Sequence, residues 1–176
     1  YYPLSILMLA KIKNIEIIVN KNEEKIFRKV LGPTKDLGIN LSFNFQNKPN
    51  GIGEVFKVSK KFIKDTSFSL ILGDNFFYGS ELISKLKKAF ILNGARIFIY
   101  AVKEPSRYGV AEFNKDGKIT RITEKPKQPN SKYVVTGIYF FDKTVLSRAK
   151  KCKYSKRGEM EISDVLNSYL QEYKLY

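Results

Sequence analysis

The sequence predicts an α/β protein whose mostly parallel sheet is covered by helices on both faces. From Pro3 to Ala101, apolar runs of strand length alternate with segments of helical periodicity, the order that builds parallel strands joined by right-handed crossovers. The run Phe68–Leu72, apolar except for Ser69, has the composition of a strand buried on both faces. A third pattern adds to this plan: two short apolar runs flank Asn114-Lys115-Asp116-Gly117, which predicts an antiparallel hairpin as an excursion from the sheet. At 176 residues with 43% apolar content, the chain is long enough for one well-buried domain and too short for two. Residues 1–176 are accordingly expected to form a single domain.

Each element follows from its local pattern. Pro3 to Lys11 carries Leu4, Ile6, Leu7, Leu9 and Ala10, dense enough for a buried helix with proline in its first turn. Ile15 to Val19 follows as a strand. Asn20 to Val30 alternates charged and apolar positions at helical spacing and stops at Gly32-Pro33. Asn40 to Gln46 is a strand with Leu41, Phe43 and Phe45 on one face. After the loop Asn47-Lys48-Pro49-Asn50-Gly51, Ile52 to Ile63 predicts a helix whose stripe is Val55, Phe56, Val58 and Phe62. Ser80 and Glu81 are placed to cap a helix reaching Phe90, Gly94 closes the connection, and Ala95 to Ala101 is a strand with Ile97, Ile99 and Val102 in register. The hairpin pairs Val110–Phe113 with Lys118–Thr123. Tyr133 to Phe141 is an apolar strand interrupted by Gly137, Asp142 to Lys151 a helix, and Lys153 to Arg157 a basic loop. Glu159 to Leu170 is the last helix, with Ile162, Val165, Leu166 and Tyr169 on one face.

Composition removes several classes of chemistry. With no histidine and one cysteine, Cys152, the chain has no Cys/His metal site, no Ser-His-Asp triad and no internal disulfide. A formal charge of +15 would suit nucleic acid if the cations clustered. They do not: lysines run along the whole chain, and the densest groups, Lys60-Lys61-Lys64 and Lys85-Lys87-Lys88, fall on the solvated faces of expected helices. A basic nucleic-acid-binding module is thus the less favoured class, and no nucleic-acid partner is expected. No run approaches the ~20 apolar residues of a membrane span, and the first residues lack the pattern of a signal peptide. The expected location is cytoplasmic, with no membrane partner.

Candidate chemistry begins at Leu72-Gly73-Asp74-Asn75. Gly73 breaks the extended run and leaves Asp74 at its carboxyl end, where open α/β sheets hold their ligands. A carboxylate there suits Mg²⁺, which takes one or two carboxylates plus substrate phosphates; Gly-Asp-Asn is equally ordinary turn chemistry. Three more segments stand out: Gln46 to Gly51, Arg107-Tyr108-Gly109-Val110 and Glu124-Lys125-Pro126. Singly, Asn50-Gly51 reads as a turn pair, Tyr108-Gly109 as strand entry and Glu124-Lys125 as a solvent pair. Their meaning depends on what they accompany.

Taken in order with Tyr1-Tyr2-Pro3-Leu4-Ser5, Leu7-Met8-Leu9-Ala10, Phe77-Tyr78-Gly79, Val135-Thr136-Gly137, Tyr139-Phe140 and Arg157-Gly158-Glu159 with Glu161-Ile162, these segments resemble the sugar-phosphate nucleotidyltransferases. The resemblance is strongest to members acting on dTTP and glucose 1-phosphate, and it spans essentially the whole chain. It implies a Rossmann-like fold and the transfer of a nucleotidyl group, giving dTDP-glucose and pyrophosphate. By the same resemblance, Asp74 would hold Mg²⁺, while Gln46 and Gly51 would read the base. Glu124 would accept hydrogen bonds from sugar hydroxyls, Lys125 would face the sugar phosphate, and Arg157 would be a second phosphate contact. Tyr108, Gly109, Val135 and Gly137 would line the sugar pocket. A uridylyl- or other sugar-1-phosphate nucleotidyltransferase, or a non-catalytic remnant that binds sugar nucleotides, stays open beside this reading.

The departures also carry expectations. The family's opening strand with Gly-Gly-x-Gly-Thr-Arg-Leu and its later Trp-Leu-Asp-Thr-Gly are not among these residues. The resemblance therefore implies a middle fragment, truncated at both ends, lacking a central strand, a triphosphate loop and a second metal-binding Asp. Such a piece is expected to be inactive alone and to expose unpaired sheet edges. When complete, the family is a homo-oligomer, usually a tetramer, feeding dTDP-rhamnose synthesis.

Overall fold

A computed structural model describes residues 1–48, 50–64, 66–90 and 93–176; Pro49, in the loop 47–51, lies outside them. The elements in order are α1 (Tyr2–Leu9), β1 (Asn14–Val19), α2 (Glu24–Leu31), β2 (Asn40–Phe45), α3 (Val55–Val58), α4 (Lys60–Ile63), β3 (Phe68–Ile71), α5 (Leu82–Ala89), β4 (Ala95–Ala101), β5 (Gly109–Phe113), β6 (Ile119–Glu124), β7 (Tyr133–Phe141), α6 (Val145–Ala149) and α7 (Ile162–Leu170). Most expected elements are present within a few residues, including the hairpin, whose Asn114 Oδ1 accepts from the amides of Asp116 and Lys118 at 3.0 and 2.9 Å. Gly117 closes that turn at φ 74°, a conformation glycine adopts without steric cost.

Among the described strands, parallel pairing is confined to β1 and β2, with an isolated parallel bridge from Ala95 of β4 to Leu175. The larger sheet is antiparallel and centred on β7, which runs unbroken through Gly137. One edge of β7 pairs with β4 along nearly its whole length. The other edge is shared: β3 pairs with Ile138–Phe141, and β5 joins at Val134. Both β3 and β4 oppose β7, so they run parallel to each other on either side of it. Helices cover both faces, as expected. Ile138 and Phe140 face α1 and α5 through Ile6, Leu86 and Ala89, whereas Tyr139 and Phe141 face α3, α6 and α7. The period-two alternation of a strand alone divides β7 between two cores.

Several elements differ from expectation for identifiable reasons. β3 is half-buried along its length rather than buried on both faces, because among the described residues it pairs only with β7. β1 likewise pairs only with β2, yet one helix serves both strands: Leu4 and Leu7 of α1 pack in a cluster with Ile15 and Ile39, and Ile71 of β3 packs against it. The expected helix 52–63 is a 3₁₀ turn, Ile52–Glu54, followed by α3 and α4, which meet at the buried Ser59. Ile63 rather than Phe62 completes its apolar face, with 2% against 37% exposure. Neither Ser80 nor Glu81 caps α5 with its side chain; Glu81 sits at φ 63° and pairs with Lys85 instead. The lysines of α4 and α5 are exposed, as their helical spacing implied.

Phe141 is the packing centre of this arrangement. It is fully buried, with the rings of Phe56 and Phe68 at 5.4 and 5.6 Å and that of Tyr169 at 6.1 Å. It thus joins α3, β3 and α7 on one face of β7. Phe141→Ala is expected to lower the unfolding free energy by about 3–5 kcal/mol, the cost of lost transfer and an unfilled cavity, read from the urea midpoint at unchanged m-value.

Candidate functional site

The shared edge of β7 makes a notch. β3 leaves that edge after Leu72, whose amide donates to the Gly137 carbonyl at 2.8 Å, and β5 joins only at Val134. The turn Gly73–Asn75 occupies the interval. Asn75 fills it closely: its Oδ1 accepts from the Gly137 amide at 3.1 Å, and its Nδ2 donates to Asp74 Oδ1 at 2.8 Å. A Cβ on residue 137 would fall 2.6 Å from the Asn75 side chain, so glycine is required there by a neighbour within the chain. Asp74 itself is exposed.

The hairpin supplies the opposite wall. Gly109 of β5 pairs with Glu124 of β6, and a Cβ on Gly109 would lie 3.3 Å from Glu124 Oε2; the missing side chain leaves space for that carboxylate. Lys125 follows in the left-handed region at φ 41°, its amide donating to the Tyr108 carbonyl at 2.9 Å. This strained backbone turns the exposed Lys125 out of the line of β6. Inside β6, Asn167 of α7 bonds both backbone groups of Ile122, at 2.9 and 2.8 Å, so an amide side chain takes the place of a neighbouring strand on the sheet's outer edge.

These parts enclose a cleft of about 1130 Å³ lined by Gln46, Gly51, Asp74, Tyr108, Gly109, Glu124, Lys125, Val135 and Gly137. Every sequence-predicted substrate residue thus reaches one cavity. Arg157 does not line it. It borders a smaller adjoining cavity of about 300 Å³, with its guanidinium on both oxygens of Glu161 at 2.8 and 2.9 Å. Gly51 has an additional structural role: at φ 97° its missing Cβ would lie 2.5 Å from the Met160 carbonyl oxygen. The amide of Met160 donates to Asn50 O at 2.7 Å, and the Gly53 amide donates to Met160 O at 2.8 Å. The loop after β2 is therefore fastened to the segment that carries Arg157 and Glu161.

Asn75, Glu161 and Met160 were assigned no role from sequence. Asn75 adjoins Asp74 and Glu161 lies in the Arg157–Ile162 block, so position could have drawn attention to both; Met160 acts through its backbone, which leaves no mark in residue type. For Mg²⁺ the described residues contain no cluster of three or more potential ligands. Asp74 offers one hard oxygen, which fits an ion that completes its shell with substrate phosphates and water.

The family model described as nucleotidyl transferase matches residues 1–176. The chain belongs to this family. It is 43% identical over 173 residues to a glucose-1-phosphate thymidylyltransferase of Neisseria meningitidis, covering 98% of this chain and 60% of that protein. A Mycolicibacterium smegmatis protein of the same name matches at 43% over 175 residues, covering 99% and 61%. The chain thus spans about three-fifths of these curated relatives' length. Among solved structures, a Bacillus anthracis protein assigned as a glucose-1-phosphate thymidylyltransferase, in complex with sucrose, superposes with a TM-score of 0.86 at 34% identity, covering 99% of this chain and 71% of that one. A UDP-glucose pyrophosphorylase with bound UDP-glucose superposes at 0.80 with 20% identity, covering 99% and 76%, a likeness of fold.

Within this nucleotidyl transferase chain, Glu124 is the perturbed acid of the cleft. Burial raises its pKa above 4.5, the nearby Glu161 charge raises it further, and Lys125 and Arg157 pull it back. A raised carboxyl pKa means that the folded state favours the neutral acid, so ionising Glu124 costs stability as pH rises through its folded value. Glu124→Gln is therefore expected to match the parent's stability below pH 4.5, where both side chains are neutral, and to exceed it increasingly through the raised pKa to a plateau above. Unfolding midpoints measured across that range check the sign.

Proposed function

We propose that the protein carrying this chain is a glucose-1-phosphate thymidylyltransferase, which transfers the thymidylyl group of dTTP to glucose 1-phosphate with release of pyrophosphate. The carrying observation is the convergence of Gln46, Asp74, Glu124 and Lys125 on one cleft, in a chain 43% identical to relatives of that name. A phosphate oxygen of glucose 1-phosphate forms a bond to the α-phosphorus of dTTP as the bond from that phosphorus to the bridging oxygen of the β-phosphate breaks, and pyrophosphate departs. Such a displacement needs positioning and charge neutralisation more than a nucleophilic side chain, which suits a chain without histidine.

Each residue then has a task. Gln46 presents an amide to the base, beside the Gly51 turn. Glu124 accepts hydrogen bonds from the sugar, and Gly109 leaves space for its carboxylate. Tyr108, Val135 and Gly137 shape the sugar wall. Lys125 contributes a compact positive charge to the phosphates, and Arg157 joins it by exchanging part of its contact with Glu161 for a phosphate. Asp74 would hold Mg²⁺, which when bound neutralises phosphate charge. UTP shares the base edge that Gln46 would read, so uridylyl transfer is the second reading. We further read the complete protein as a cytoplasmic homo-oligomer, tetrameric in its family and serving dTDP-rhamnose synthesis. Exposed Ile26 and Val30 on α2 offer apolar surface for such assembly.

We read catalysis by this scheme as drawing on more than residues 1–176, since the chain spans about three-fifths of the named relatives. The 176-residue chain, incubated with dTTP, glucose 1-phosphate and Mg²⁺, is expected to release no pyrophosphate at enzymic rates; turnover would overturn that view. In the complete protein, Lys125→Ala should lower kcat/KM by about 10²-fold or more, as loss of a preorganised charge does. Parallel assays with dTTP and UTP decide between the two readings.

A further inference from the structure

Gln46 follows β2 directly and lines the cleft. Its Nε2 lies 3.1 Å from Glu54 Oε2 and 3.5 Å from the Gly51 carbonyl oxygen. Both neighbours are acceptors. The NH₂ end must face them, because the reversed amide would set its own oxygen against a carboxylate oxygen at the same separation. Glu54 is held in turn: Tyr154 donates its hydroxyl to Glu54 Oε1 at 3.4 Å, while Lys57 donates to that hydroxyl at 2.9 Å and sits 4.5 Å over the Tyr154 ring. The same loop is tied to Met160 by two backbone hydrogen bonds. A relay anchored outside the cleft therefore sets the orientation of one amide inside it.

We propose that Glu54 is a specificity-determining positioning residue: by holding the Gln46 NH₂ together with the Gly51 carbonyl, it turns the amide's carbonyl oxygen toward the base. This inference rests on Gln46 being the base-facing residue. That orientation suits a base edge that offers an N–H donor, as at N3 of thymine or uracil. Cytosine offers a bare N3 instead, which would set acceptor against acceptor, and a site built to hydrogen-bond one pattern rejects its inverse strongly. Without Glu54 the amide can turn over and accept the cytosine pattern instead, so selectivity falls without loss of Gln46.

Isothermal calorimetry on the full chain, with dTTP, dCTP and N3-methyl-dTTP as probes, tests this. The parent chain should prefer dTTP over both others by about tenfold or more, the worth of one or two hydrogen bonds. Glu54→Ala should bring dTTP and dCTP within about threefold of each other, mainly by weakening dTTP. Glu54→Gln, whose carbonyl can still accept from Gln46, should retain an intermediate preference. Glucose 1-phosphate affinity should stay constant in both variants, which a general loss of folding would not permit. If the parent binds N3-methyl-dTTP as well as dTTP, the base-facing role of Gln46 falls and this inference with it. If Gln46→Ala abolishes the preference while Glu54→Ala and Glu54→Gln both keep it intact, the role of Glu54 alone is overturned.

Discussion

Nine residues of β7 have to satisfy three neighbouring strands, and the division of its two edges governs the rest of the molecule. One edge is given to β4. The other is split between the short β3, at the carboxyl half of β7, and the incoming β5 near its start. A split edge leaves an interval in which β7 has backbone groups but no strand partner, and buried backbone groups must be satisfied. The chain meets this requirement locally: the amide of Gly137 finds the Asn75 side chain and its carbonyl finds the amide of Leu72. The cleft is the outer side of that interval. Its position is thus a consequence of strand accounting, and Asp74 arrives there because it lies one residue before the side chain that closes the gap.

Electrostatics follows from the same geometry. Glu124 ends β6 where the hairpin meets the interval, which buries its carboxylate close to Glu161. Two acids so placed need cations, and Arg157 supplies one by gripping Glu161 with both oxygens engaged. That grip leaves Glu124 less fully compensated, balanced by the exposed Lys125 and the more distant Arg157 charge. An anion entering the cleft would draw on the same cations, so its binding and the setting of Glu124 would be linked through a shared charge balance.

Much of this could be read from residue types. Alternating apolar runs located all the longer strands, Asn114–Gly117 located the hairpin, and the resemblance carried by the order of segments grouped Gln46, Asp74, Glu124 and Lys125. Pairing direction was less legible. The apolar content of Phe68–Leu72 says that a strand is covered, but β3 is antiparallel to its partner and half-buried, since coverage comes from helices and aromatic side chains rather than from two flanking strands. Helix 52–63 broke at Ser59 although its periodicity continued, because periodicity reports a buried face and not the hydrogen bonds beneath it. Arg157 was recognisable as a candidate phosphate contact, yet its present partner, Glu161, depends on how the loop before α7 folds back.

The glycines show most clearly where sequence and structure part. In a ligand site, glycine is ordinarily explained by a backbone that approaches the ligand, and Gly51, Gly109 and Gly137 all lie in the cleft wall. Each missing side chain is instead matched by a neighbour within the chain: the Met160 backbone, the Glu124 carboxylate and the Asn75 amide. These neighbours belong to segments distant in sequence, and two of them face the cleft themselves. Any side chain at these positions would displace a polar group of the site before it met a ligand. The glycines therefore act by letting Glu124, Asn75 and the Met160-bound loop occupy their places, and the form of the cleft depends on them at one remove.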